Sequence, residues 1–390
     1  MHISKLAVTE SESGYKLTGW CNDFELYYDF PLDIKPRLCA DPFVAASLLS
    51  AMYLNEDIII DEEWQISPEL LTNLDKIQDI FSRWEQYLGY KLNKINIHGG
   101  TVAEAPSHFC KTVSFFSGGV DGSHTFLTNQ QDIDALLFVK GIDMQLENDA
   151  LFAETSRVNR EYLKQYNKPL HTIISNVRFL GHHFGVKWGA CCGGGLSSIA
   201  LAIGARKCLI ASGSSYDYIY PSGTNYISDH LWGNQQTRIV HDGAQSSRLD
   251  KIRAIAEDPQ CLKILRVCWH DDGYNCGKCE KCLRTMASLR ALELKVDTFP
   301  PLTDDVARSQ LANIKLYDIH DYQFLKENIE QAKRVNDEVL LKALKKIQTD
   351  FERRKLMRDV DKTLFNGRIQ TAKQGIFNWR RNLRTNANTS

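Results

Sequence analysis

The sequence has no apolar run near the ~18–20 residues that cross a bilayer. A membrane-spanning segment is therefore not expected. Its opening, Met1-His2-Ile3-Ser4-Lys5, leads into the polar Thr9-Glu10-Ser11-Glu12-Ser13 and lacks the apolar core of a secretion signal, so a cytoplasmic protein is expected. Charge of one sign is also missing. The 47 Lys and Arg balance 48 Asp and Glu to a net charge of −1, which predicts no global pull on nucleic acid or an anionic membrane. Internal repeats and low-complexity segments are absent. What remains is 390 residues, 43% hydrophobic and 24% charged, enough for two or three small domains or one large one with additions.

Patterning divides the chain into an α+β region over 1–106, an α/β core over 107–298 and a helical region over 299–390. The first opens with strand-like runs at 15–20 and 24–28 that predict a hairpin. Helical spacing follows over about 42–53, then a short strand at 58–60. A second helix begins at Ser67-Pro68-Glu69, with Ser at the cap and Pro at the first helical position. The core alternates apolar strands (112–116, 135–139, 170–174, 207–211, 238–241) with helices. Such alternation predicts a five-stranded, mainly parallel sheet covered on both faces, with ligands held beyond the carboxyl ends of its strands. Basic residues dominate 353–384, where Phe365, Phe377 and Trp379 are interleaved. That stretch reads as a solvated helical tail, or as a surface for nucleic acid or an acidic protein partner.

Directly after the first core strand stands Ser117-Gly118-Gly119-Val120-Asp121-Gly122-Ser123. Adjacent glycines allow successive amide N–H groups to converge on a phosphate, and the following helix N-terminus adds free donors and a positive dipole end. Ser117 and Ser123 offer hydroxyls. Asp121 is a candidate to orient the loop or to help place Mg2+. No lysine follows in the Walker pattern, and the third glycine of a dinucleotide fingerprint is missing. The alternative is a strand-to-helix turn whose glycines serve geometry alone.

The run Phe115-Phe116-Ser117-Gly118-Gly119-Val120-Asp121 resembles the Ser-Gly-Gly-x-Asp-Ser signature of the N-type ATP pyrophosphatases, the PP-loop superfamily. The resemblance implies ATP held by its pyrophosphate portion while a substrate oxygen attacks the α-phosphorus. It also makes Phe138 and Gly141 neighbours of the adenine. The usual Ser after the Asp is Gly122 here.

The chain has eleven cysteines, and four of them, Cys268, Cys276, Cys279 and Cys282, crowd into Cys-x7-Cys-Gly-Lys-Cys-Glu-Lys-Cys. Cys-x-x-Cys spacing brings two thiolates to one tetrahedral ion from a tight turn. Four thiolates favour structural zinc, with an iron–sulfur cluster as the alternative. A cysteine site after a PP-loop core is similar to that of 7-cyano-7-deazaguanine synthase, a resemblance covering roughly 112–295. It implies an AMP- and pyrophosphate-forming enzyme that adenylylates a carboxylate or amide oxygen of a small molecule or modified base for displacement by ammonia or an amine. Zinc would then hold the C-terminal part of the core over the site. Expected partners are a small-molecule substrate and a second copy of the chain in a homodimer.

Ser212 and Asp242, after the fourth and fifth core strands, and Asp143, after the second, are candidates to contact substrate or metal, or are turn residues. Trp188-Gly189-Ala190-Cys191-Cys192-Gly193-Gly194-Gly195 carries two readings. A helix N-terminus lowers a thiol pKa, so Cys191 or Cys192 could carry a persulfide in an ATP-dependent sulfur transferase. The other reading is a tight loop of small residues packed under the sheet. A third function, a non-catalytic nucleotide-binding module, is suggested by Gly122.

Overall fold

Runs rich in β-branched and aromatic residues become ten strands: β1 (His2–Ser11), β2 (Gly14–Cys21), β3 (Phe24–Pro31), β4 (Ile58–Ile66), β5 (Ile97–Val102), β6 (Phe109–Phe115), β7 (Ala135–Lys140), β8 (Leu170–Ser175), β9 (Ala205–Ala211) and β10 (Arg238–Asp242). They are seen in a computed structural model that describes residues 1–103, 109–270, 273–316 and 319–365. The chain forms two units, Met1–Pro301 and Leu302–Ser390. The boundary expected at 106 falls inside the first unit, and that at 298 lies near its end.

The first unit is α/β with a mixed sheet of ten strands, ordered β10-β9-β6-β7-β8-β3-β2-β1-β4-β5, in which the five strands expected for the core are continuous with those of the N-terminal region. Neighbours from β10 to β8 pair in parallel. The N-terminal hairpin of β2 and β3 continues the same sheet, because β3 pairs antiparallel with β8 at Tyr28–Ser175 and Asp29–Ile174. Side chains reinforce the seam. Asn176 accepts from Tyr27 N at 2.9 Å and donates to Glu25 O at 2.8 Å, and Ser175 Oγ donates to Tyr27 O at 2.7 Å. β1, which lies within the polar opening, pairs with both β2 and β4.

Nine helices complete this unit: α1 (Asp41–Leu54), α2 (Pro68–Leu88), α3 (Val120–Thr128), α4 (Asp149–Lys164), α5 (Val177–His183), α6 (Trp188–Ile203), α7 (Arg248–Ala256), α8 (Pro259–Lys263) and α9 (Glu280–Ala291) among the described residues. Ser67 does not cap α2 through its side chain as expected. Its hydroxyl donates instead to Asp41 Oδ2 at 2.5 Å, a buried carboxylate that also accepts from Asn234 Nδ2 at 2.7 Å.

The loop expected over 188–195 is the first half of α6. Its glycines sit where a side chain would collide. A Cβ on Gly193 would lie 2.1 Å from Gly223 O, and one on Gly194 2.3 Å from Ala45 O of α1. Close packing against α1 and the buried Trp232 therefore overrides the low helix propensity of three consecutive glycines.

The second unit contains α10 (Asp304–Ser309), α11 (Ile319–Arg334) and α12 (Glu338–Phe365). Here Tyr322 stacks on Phe351 with ring centroids 4.8 Å apart, beside buried Leu325, Leu340 and Leu344. The basic stretch enters α12 at 353. From 366 onward, Phe377 and Trp379 included, it lies outside the described residues. No described helix is long and apolar enough to cross a membrane.

Candidate functional site

The sheet order reverses around β6, since the chain runs outward to β7 and β8 and then returns to place β9 on the other side of β6. Loops diverge at such a point, and a crevice opens beyond the carboxyl ends. A cleft of about 250 Å3 lies there, lined by Phe115 at the end of β6 and Phe116 and Ser117 after it, Leu137 to Val139 of β7, and Ile210 and Ala211 of β9. Its floor is the glycine-rich turn. Gly118 takes a φ of +77°, and a Cβ on it would lie 2.9 Å from Asn159 Oδ1 and 3.0 Å from Ile264 O. Helix α3 begins immediately afterwards, with Gly119 as its N-terminal boundary.

Of the expected loop residues, Ser117, Gly119, Val120, Asp121 and Gly122 line the cleft, as do Phe138 and Asp143. Gly118, Ser123 and Gly141 do not; Ser123 is fully buried beside Cys261. The hydroxyl expected from Ser123 is therefore absent from the cleft wall, and Ser117 is the loop serine found there. Gly141 turns the chain after β7 with a φ of +93°, its N–H donating to Met144 O at 3.1 Å. Ser212 is held in its own turn, donating to Ser214 O at 2.6 Å, and Asp242 Oδ2 accepts from Asn129 Nδ2 at 3.1 Å. Neither Ser212 nor Asp242 lines the cleft.

Three cations that the sequence reading missed face the same cleft: Arg248 at the start of α7, Arg266, and Lys281 in the first turn of α9. Asp121 pairs with Arg248 and, at 3.4 Å, with Lys251, whose Nζ also donates to Ser212 O at 2.5 Å. Burial alone would raise the Asp121 carboxyl, but Arg248, Lys251 and Lys281 outweigh it and hold it well below the usual carboxylate range. Lys281 is lowered from the ordinary lysine value by burial, which Asp143 offsets in part. Arg266 is 2% exposed, and its Nε and Nη2 have no hydrogen-bond partner among the described residues. A buried guanidinium in that condition is costly unless an anion meets it.

The four clustered cysteines converge. Their sulfurs all lie within 4.8 Å of one another, with Cys268–Cys279 and Cys276–Cys282 each at 3.9 Å. A tetrahedral ion with metal–sulfur bonds of about 2.3 Å separates its sulfurs by about 3.8 Å, so the group is placed to hold a metal such as zinc. Backbone N–H groups point at the sulfurs: His270 N at Cys268, Lys278 N and Cys279 N at Cys276, and Cys282 N at Cys279, between 3.3 and 3.4 Å. Such donors stabilise thiolate. Hydrogen bonding from Cys282 brings Cys279 down to about 4. Cys268 also lines the cleft, so the two sites share a wall.

The other pair of cysteines does not behave as the persulfide reading expects. Cys192 lines the cleft, with Trp188 and Leu196 a turn to either side of it. Yet burial pushes the Cys191 thiol up to about 12 and raises Cys192 as well. Desolvation is the largest influence on both thiols and outweighs the Arg178 charge that lowers Cys191. His182 and His183, expected on a surface or loop, close α5, and His183 Nε2 meets Asp23 at 3.1 Å.

Comparison of the chain with models of known families, with curated proteins and with solved structures gives no match in any of the three.

Proposed function

We propose that the cleft binds the phosphates of ATP and that the chain is an AMP- and pyrophosphate-forming ligase of the N-type ATP pyrophosphatase kind. The observation that carries this reading is Arg266, a buried guanidinium with two nitrogens unpartnered among the described residues, in a cleft that also holds a glycine-rich turn and a helix N-terminus. Arg248 and Lys281 add charge that a polyphosphate would neutralise. Asp121 and Asp143 are the carboxylates available to Mg2+ at that wall.

In this reading a carboxylate or amide oxygen of the substrate attacks the α-phosphorus, and the bond to pyrophosphate breaks. Ammonia or an amine then attacks the activated carbon, and AMP leaves. Arg248, Arg266 and Lys281 would stabilise charge growing on the departing pyrophosphate, so the protein's contribution is positioning and electrostatics. The apolar wall of Leu137, Phe138 and Ile142 suits the adenine. Sulfur transfer is the weaker reading, because neither Cys191 nor Cys192 is poised as a thiolate. The test is pyrophosphate release from Mg-ATP by the full chain with a panel of carboxylic acids and ammonia. Release is the expected outcome. ATP binding without release from any acid would leave a nucleotide-binding module.

A further inference from the structure

Arg266 and Lys281 reach the cleft from the two segments that also carry the cysteine cluster. Arg266 stands two residues before Cys268, and Lys281 stands between Cys279 and Cys282. Several bonds tie these segments to one another and to the glycine-rich turn. Arg266 N donates to Gly118 O at 2.9 Å, which joins the metal-bearing wall to the loop itself. Asn275, next to Cys276, grips the 265–268 segment from both sides. Its Oδ1 accepts from Val267 N at 2.9 Å and Cys268 N at 3.3 Å, while its Nδ2 donates to Leu265 O at 2.9 Å. Tyr274 OH donates to Ile264 O at 2.8 Å, the carbonyl against which Gly118 packs. In the second segment, Cys279 caps α9 by accepting from Cys282 N, which fixes the turn that carries Lys281. The Lys281 ammonium lies 4.7 Å from the ring centroid of Trp269, directly after Cys268.

We infer that metal ligation by Cys268, Cys276, Cys279 and Cys282 sets the phosphate grip: it fixes Arg266 and Lys281 against the glycine-rich turn, so that nucleotide affinity depends on the metal. Without an ion, four sulfurs within 4.8 Å carry repelling partial charges once any pair ionises, and the two segments lose their common anchor. Two charged donors held in register by the neighbouring cysteines are then free to lose it, and each charge-assisted bond to phosphate weakens accordingly. Arg266 and Lys281 are thus positioned through the cysteine cluster. The inference rests on the phosphate-binding reading above.

The experiment titrates the full chain, purified with its metal, with Mg-ATP and separately with inorganic pyrophosphate, before and after dialysis against a chelator under reducing conditions. Far-UV circular dichroism monitors the fold, and metal content is measured in each sample. Removal of the metal is expected to weaken both ligands by about tenfold or more, and added zinc to restore them. The Arg266→Gln/Lys281→Met variant should bind weakly with its metal in place and lose less than about twofold more on removal, since the metal would act through those two residues. Unchanged affinity in a folded metal-free chain overturns the inference, as does a double variant that still loses the full factor. If the metal-free chain loses its helical signal, the metal-loaded Asn275→Ala variant decides. Binding several-fold weaker at full metal content supports the inference, and unchanged binding overturns it. Failure of the metal-loaded wild type to bind either probe instead removes the phosphate-binding reading, and the inference with it.

Discussion

Asp121 shows how a side chain can be singled out from sequence while its partners stay hidden. Its position one residue into α3 marked it as a loop-orienting or magnesium-placing group, and the structure supplies Arg248 and Lys251 as partners from α7. Those partners were invisible in sequence because they lie more than a hundred residues away, as do Arg266 and Lys281. The glycines were legible because their chemistry is local. Replacing Asp121 with Asn should destabilise the chain by about 1–3 kcal/mol at neutral pH, since it strands two partly buried cations. The pH dependence has a definite sign. A carboxylate depressed in the folded state stabilises above its unfolded value of about 4 and loses that contribution as pH falls through the folded value. The gap in denaturant midpoint between wild type and Asp121→Asn should therefore narrow steadily as pH falls below about 4. A gap that persists in acid would show that the carboxylate's charge is not what matters.

The thiols give a second prediction at the same scale. Cys191, raised from 9.0 to about 12, should stay protonated through the physiological range. Its alkylation by iodoacetamide, followed by mass spectrometry, should remain slow from pH 7 to pH 9 and rise only in stronger alkali. Because a raised thiol stabilises the fold fully below its unfolded value, the same group contributes to a stability that declines as pH climbs from 9.0 toward 12. Rapid labelling at pH 7 would revive the persulfide reading.

Among elements, α6 is the one whose sequence misleads. Four glycines and two cysteines argue against a helix by propensity, yet the segment is helical and mostly buried. What the sequence could not report is the neighbour. Gly194 faces the backbone of α1, and Trp232 covers both Gly193 and Gly194. Propensity and packing therefore make opposite predictions for alanine. At Gly189, where a Cβ meets nothing within 4 Å, Gly189→Ala should be neutral or stabilising by up to ~1 kcal/mol. At Gly194 a Cβ would sit 2.3 Å from Ala45 O, a backbone atom that cannot swing aside. Gly194→Ala should cost about 1–3 kcal/mol despite its better helix propensity. Thermal melts of the two variants side by side check this, and equal midpoints would mean that α1 and α6 are not pressed together. The strands behaved differently: apolar runs such as β7, buried along its whole length, announce themselves whatever they pair with.

For the molecule as a whole, strand pairing is the property that periodicity leaves open. Each of the five expected core strands was visible, but which element would cover the edge at β8 was not, because nothing local in Leu170–Ser175 names β3 as its neighbour. The consequence is a first unit that does not divide at residue 106. One continuous core contains Ile3, Leu17, Leu26, Tyr28 and Phe43 from the N-terminal part together with Val113, Leu137, Ile173, Ile199 and Trp232 from the rest. Tyr28 even donates its hydroxyl across the seam to Ser198 Oγ of α6 at 2.8 Å. Cutting at 106 would strip β3 from the edge of β8, remove α1 from the glycine face of α6, and expose apolar side chains worth about 1.5–3 kcal/mol each. A handful of such losses matches the 5–15 kcal/mol by which a domain is ordinarily stable. Residues 107–301 expressed alone should thus aggregate or show no cooperative thermal transition, whereas 1–301 should melt as one unit. A soluble 107–301 fragment melting within a few degrees of the longer chain would mean that the N-terminal strands decorate an independent core rather than complete it.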